Sequence, residues 1–189
     1  MPRASLSADA VVDVALGLVD AQGPAGLTLS AVAGLAGVAT PSLYKHVRNL
    51  AELRDLLSAR IMNEMADEIG VAVIGRSADE AIRAFMTAWR GYALRHPHRY
   101  AALLHSPHPE ARTAEAGERL ITILFATLRA YGLEDSAAVH AARCLRATAH
   151  GFVSLETGGG FALPEALDES YALLTHMVVT GLHTPRTDR

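Results

Sequence analysis

Cysteine, lysine and tryptophan each occur once in this 189-residue chain, and each scarcity narrows the reading. The single cysteine, Cys144, cannot build an intramolecular disulfide framework or a multi-cysteine zinc site. On an apolar helical stretch it is expected to act as a small buried hydrophobe. Aromatic residues make up only 5% of the chain, so its core must be mainly aliphatic. No apolar run reaches the roughly 18–20 residues of a membrane span. The opening stretch MPRASLSADAVVDVAL has no basic-then-apolar leader pattern, because Asp9 and Asp13 interrupt it. A cytoplasmic protein is expected. The three glycines at 158–160 are not followed by Lys-Ser or Lys-Thr, which argues against a phosphate-binding loop. No Ser-His-Asp spacing or paired carboxylates stand out, so neither a catalytic site nor a cofactor is expected.

What is abundant is Ala, Leu and Val at helical spacing, with no segment alternating at period two. The expected fold is all-α, with about nine helices. Ser7 caps the first, whose apolar face carries Val11, Ala15, Leu18 and Val19; Gly23-Pro24 ends it. Thr28 caps a short second helix through Ala36, and Gly37 breaks it. Thr40 or Pro41 opens the third, and Asn49 caps a fourth running through Leu53, Leu57, Ile61 and Met65. A fifth begins near Ser77 and stops at His96-Pro97. A sixth holds Tyr100, Leu103 and Leu104. The Pro-rich SPHPEARTAEAG reads as a loop before a seventh helix from about Thr113 to Tyr131. An eighth starts near Ser136 and a ninth near Pro164, with ETGGGFALPE between them.

The stretch VATPSLYKHVRN, residues 38–49, is unusually polar for this chain. Helix, glycine turn, helix is the anatomy of a helix-turn-helix. Leu43 and Val47 are four apart and face inward. Thr40, Pro41, Ser42, Tyr44, Lys45 and His46 remain outside, a mix of hydroxyls, one cation and flat apolar surface suited to phosphates and base edges. An ordinary short amphipathic helix pair with a solvated face is the competing reading.

The longer run LTLSAVAGLAGVATPSLYKHVRNLAELRDLL resembles the DNA-binding domain of TetR-type transcriptional repressors, and the resemblance covers about residues 5–60. Near the other end, AHGFVSLETGGGF at 149–161 resembles a TetR subgroup named for a Trp-His-Gly motif. Ala149 stands where that Trp would be, and His150 and Gly151 remain. The resemblance implies a three-helix helix-turn-helix domain at 1–50 and a helical ligand-binding and dimerisation domain at 51–189. It implies Thr28, Ser30, Thr40, Pro41, Ser42, Tyr44, Lys45, His46 and Arg48 as DNA-facing residues. Leu50 occupies a position where the family often has a phosphate-binding lysine; Arg48 or the helix start at Asn49 offers a substitute. Residues 1–60 hold five basic groups and five acidic ones, so specific binding is expected only from a dimer on a two-fold symmetric site.

By the same resemblance, the second half takes a small molecule. Met62, Met65, Phe85, Trp89, Tyr92, Leu104, Phe125 and His150 are candidate pocket residues for a small apolar effector, with plain core as the alternative; a fully packed core there counts against a pocket. His150 is alternatively a hydrogen-bonding group at an interface, and Gly151 beside it suggests close helix packing. His96, His98, His105 and His108 cluster in sequence without a metal-ligand spacing, so no metal is expected. Apolar residues on more than one face of helices 136–158 and 164–183 point to a homodimer through a four-helix interface. The expected function is a regulator, most simply a repressor, that binds a palindromic double-stranded DNA operator as a dimer and is released by a small-molecule effector. The rival readings are a helical small-molecule sensor without specific DNA binding and a small helical enzyme.

Overall fold

A computed structural model describes residues 6–104 and 111–183, with the side chains of Leu104, Ala111 and Arg112 outside that set. Among the described residues the chain is all-α, with nine α-helices and two 3-10 turns. In order they are α1 (Ala8–Gln22), α2 (Leu29–Ala36), α3 (Thr40–Leu43), α4 (Leu50–Val73), α5 (Ala78–Arg95), α6 (Pro97–Leu104), α7 (Ala111–Leu128), α8 (Asp135–Thr157) and α9 (Leu167–His183). By packing, the chain divides into two compact units. The first comprises Met1–Glu64 and His96–Gly117, the second Met65–Arg95 and Glu118–Arg189. The first unit takes in α4 as far as Glu64, all of α6 and the first turns of α7.

In the first unit, α1 buries Val11, Ala15, Leu18 and Val19, the face expected from their spacing. Ser7 caps α1 by accepting the Ala10 N–H at 3.1 Å. Helix α6 packs on α1. There Arg99 grips the Asp20 carboxylate through Nε at 2.8 Å and Nη2 at 2.6 Å, and reaches Glu64 with Nη1 at 2.8 Å. The Arg99 hydrogen bond holds the Asp20 carboxyl below the usual aspartate range. One guanidinium thus fastens α1, α4 and α6 together.

The second unit is built around α5, which packs on both α8 and α9. Ile69, Ile82, Phe85, Met86 and Tyr92 are essentially sealed from solvent, together with Leu145, Ala149 and Val153 of α8. Tyr171 of α9 donates its hydroxyl to the Met86 carbonyl at 2.7 Å, which satisfies both buried polar groups.

Several expectations are corrected. Helix α7 begins at Ala111, two residues before the expected start at Thr113, so the second half of SPHPEARTAEAG is helix and not loop; residues 105–110 lie outside the described set. Helix α9 begins at Leu167, because the Ala166 carbonyl, not Pro164, receives the first helical N–H groups. Cys144 is exposed. The buried stripe of α8 follows Ala141, Leu145, Ala149 and Val153, which turns Cys144 to the flank. Gly151 is exposed too, and a Cβ there would meet nothing within 4 Å, so no packing within the chain requires a glycine.

Candidate nucleic-acid interface

Local chemistry fixes the geometry of residues 28–53. Thr28 is extended and its Oγ1 accepts the Ala31 N–H at 3.1 Å, starting α2. Gly37 takes the left-handed conformation, φ 67° and ψ 31°, which a β-carbon disfavours. The Val38 N–H donates to the Ala33 carbonyl at 3.0 Å and the Gly37 N–H to Gly34 at 3.2 Å. These are the two bonds of a Schellman turn, and they leave Val38 half-buried beneath the reversal.

The chain then re-enters helix at Thr40-Pro41, where proline's missing N–H is harmless. Helix α3 is a single turn, and its end is tied by His46 and Val47 N–H groups that both donate to the Leu43 carbonyl, at 2.8 and 3.0 Å. Leu43 and Val47 are buried at 0% and 1% exposure, as their spacing implied. Asn49 caps α4 by accepting the Glu52 N–H at 2.9 Å, and Glu52 reaches back to the Arg48 N–H.

The outward face follows from those anchors. Thr28, Ser30, Pro41, Tyr44, Lys45 and Arg48 are exposed; Thr40, Ser42 and His46 are half-buried. Tyr44 shows 56% of its surface, a large value for an aromatic ring in a small domain. Lys45 forms no ion pair with the described residues. Arg48 is paired with Glu52 at 3.2 Å but its side chain stays 72% exposed. Arg60 is spent on Asp13 at 2.9 Å, so it adds little to the field at this face. Of the nine residues expected to face DNA, all lying between Thr28 and Arg48 in the chain, six are thus exposed and three half-buried.

The candidate pocket residues sit differently. Met65, Phe85 and Tyr92 are 1% exposed and Trp89 is 7% exposed, with Phe85 and Trp89 rings 5.7 Å apart. This dense packing counts against a preformed pocket at those side chains. Met62, Phe125 and His150 are half-buried, and the Leu104 side chain lies outside the described residues. Burial, then the charge of Arg146, holds the His150 pKa below the usual 6.5. Two open spaces among the described residues lie elsewhere. A groove of about 780 Å³ runs between the end of α4 and α7, past Gly70, Ile74 and Ile123. A cleft of about 380 Å³ lies between α5 and α9. None of the candidate pocket residues lines either one. His105 and His108 fall outside the described residues, and among those described no group of histidine, cysteine and carboxylate side chains is arranged to hold a metal. No described helix is long and apolar enough to cross a membrane.

On α8 and α9, Leu155, Leu173 and Met177 are 49%, 60% and 61% exposed. Met177 lines a small recess of about 270 Å³ with Cys144, Leu145 and Gly181. Sequence reasoning missed one constellation: Arg90 of α5 with Glu156 of α8 and Asp168 of α9. Arg90 donates Nε and Nη2 to Glu156 at 2.7 and 2.6 Å, and Nη2 also reaches Asp168 at 2.8 Å. Its guanidinium stands 4.9 Å from the Tyr171 ring centre and 5.9 Å from that of Phe152. The Glu156 hydrogen bond raises the Arg90 pKa further.

A helix pair with this turn, these caps and this exposed face defines a helix-turn-helix protein. Residues 82–178 match the family model described as "Tetracyclin repressor-like, C-terminal domain". An HTH-type transcriptional regulator of Mycobacterium tuberculosis is 36% identical over 160 residues, covering 82% of this chain and 72% of that protein. The HTH-type transcriptional regulator YobS of Bacillus subtilis is 29% identical over 182 residues, 96% of this chain and 95% of the relative. The crystal structure of BioQ with its double-stranded DNA operator shares the fold, with a TM-score of 0.72 at 22% identity over 96% of this chain and 100% of that one. The chain belongs to the TetR family of helix-turn-helix transcriptional regulators.

Proposed function

We propose that this protein is a dimeric, ligand-responsive repressor that reads a palindromic operator and lets go of it when a small, largely apolar molecule binds. The observation that carries the DNA-reading half is the α2–turn–α3 geometry: Leu43 and Val47 locked inside, with Thr40, Pro41, Ser42, Tyr44 and Lys45 left outside. In this reading residues 1–50 hold the DNA contacts. Tyr44, His46, Thr28, Arg48 and Lys45 bind phosphates, Thr40, Pro41 and Ser42 approach base edges, and Ser30 meets one or the other. Residues 51–189 bind the effector and dimerise in the cytoplasm. BioQ, which shares the fold, is solved on its operator, and this supports the partner class.

The charge balance supports the dimer requirement. With so few cations at the face, one subunit neutralises few phosphates, and two half-sites double the contact. The exposed leucines and methionine on α8 and α9 supply the apolar surface for that pairing. The test is a salt series of binding to DNA from upstream of the protein's own coding region, with Tyr44→Ala and Lys45→Ala alongside. Sequence-dependent binding lost in both variants is expected, and Lys45→Ala should also flatten the salt slope by about one phosphate. Weak binding that ignores sequence and survives both changes would refute the reading.

A further inference from the structure

We infer that the α5–α9 cleft is a binding site for a small organic carboxylate with an apolar body. This deepens the ligand-responsive reading above by giving the effector a place and a chemical class. The cleft is open to solvent along one side and offers about 380 Å³, and its lining includes Arg83, Thr87, Arg90, Asp168, Tyr171 and Thr175. Such a volume falls at the small end of ligand sites.

Arg90 is the reason for a carboxylate. Its side chain is only 13% exposed and is already oriented by the fork it makes with Glu156. Nη1 makes no hydrogen bond with the described residues, so two N–H donors remain for an incoming group. The position is already visited by a carboxylate of the protein's own, Asp168, at 2.8 Å. That Asp168 side chain is 88% exposed, so it is a weakly held occupant that a competing carboxylate can replace. Arg83 forms no ion pair with the described residues and supplies a second cation on the same wall. The Thr87 hydroxyl likewise makes no hydrogen bond with the described residues, and Leu94 and Ala172 offer apolar surface for the ligand's body. A guanidinium fork matches a planar carboxylate better than any neutral group. Displacing Asp168 removes one of the ties between the first turn of α9 and α5, the Tyr171–Met86 hydrogen bond being another, and so links the site to a helix with exposed apolar residues.

The experiment is calorimetric titration of the full chain with benzoate and hexanoate, against benzamide, hexanol and inorganic phosphate. Arg90 is left intact because it also holds α8. Wild type should bind the two carboxylates saturably and the neutral analogues far more weakly. Asp168→Asn should tighten carboxylate binding by about two- to fivefold, the strength of an exposed ion pair removed as a competitor. Arg83→Met should weaken it by about two- to fivefold, the strength of one exposed ion pair. The inference is overturned by any of four results: no saturable carboxylate binding, benzamide binding equal to benzoate, phosphate binding more tightly than either carboxylate, or unchanged affinity in both variants. Carboxylate binding with the expected variant pattern supports the site even if operator DNA stays bound. That last outcome counts only against release by this ligand class.

Discussion

Replacing Arg90 by methionine removes a guanidinium that serves three helices, and the structure says which loss dominates. Glu156 is 10% exposed and takes both of its strong hydrogen bonds from Arg90. Leaving such a carboxylate buried without its partner costs about 3–5 kcal/mol. The Asp168 contact adds little, about 0–1 kcal/mol, because that side chain is 88% exposed. Loss of the cation over Tyr171 and Phe152 adds about 0.5–1 kcal/mol, partly recovered by the methionine's own packing. The total is about 3–6 kcal/mol, or a fall of roughly 6–24 °C in Tm for a chain of this size. Urea and thermal unfolding of Arg90→Met, Glu156→Gln and the double variant make the test. The double variant should recover most of the loss, because no charge is then stranded. If Arg90→Met costs under about 1 kcal/mol, or the double variant is no better than Arg90→Met alone, the stranded-carboxylate argument is wrong.

Three further outcomes follow from other parts of the chain. Gly37→Ala forces a β-carbon into the left-handed region and should destabilise the first unit by about 1–2 kcal/mol and weaken operator binding; an unchanged melt would refute the turn's role. His150 has its pKa lowered by burial, so the unfolded chain binds the extra proton first as pH falls below about 6.5. Wild-type stability should therefore drop as pH moves from 7 down through that window, and His150→Gln should flatten the drop; superimposable pH profiles would sink this. Leu173→Glu, at a site 60% exposed in the single chain, should leave the subunit folded but shift sedimentation toward monomer, whereas an unchanged dimer would place the interface elsewhere.

The parts of the fold that were legible in the sequence are those set by neighbours in the chain. Thr28 capping, the Gly37 reversal and the inward Leu43–Val47 pair depend on residues within about one helical turn, and the structure shows each one. The Asn49 cap belongs with them. What could not be read was set by partners far along the chain. Arg90 finds Glu156 across 66 positions, and Arg99 finds Asp20 across 79. No local pattern announces either pair. The exposed Cys144 went the other way, because its sequence neighbourhood is apolar whichever face it lands on. The aromatic residues of α5 were readable as a stripe, but a stripe does not distinguish a filled core from a pocket wall; their near-complete burial does.

The lone lysine gives the molecule an unusual chemical address. Lys45 holds the only side-chain amine among 189 residues, against sixteen arginines, and it stands exposed on the turn that follows α3. An amine-selective acylating reagent therefore converts one side chain, on the helix-turn-helix, besides the chain's α-amine, and spares every arginine. Its rate of reaction, read on the peptide that carries Lys45, becomes a gauge of whether that face is covered. In the modified chain this one side chain is neutral and every other side-chain charge is as before.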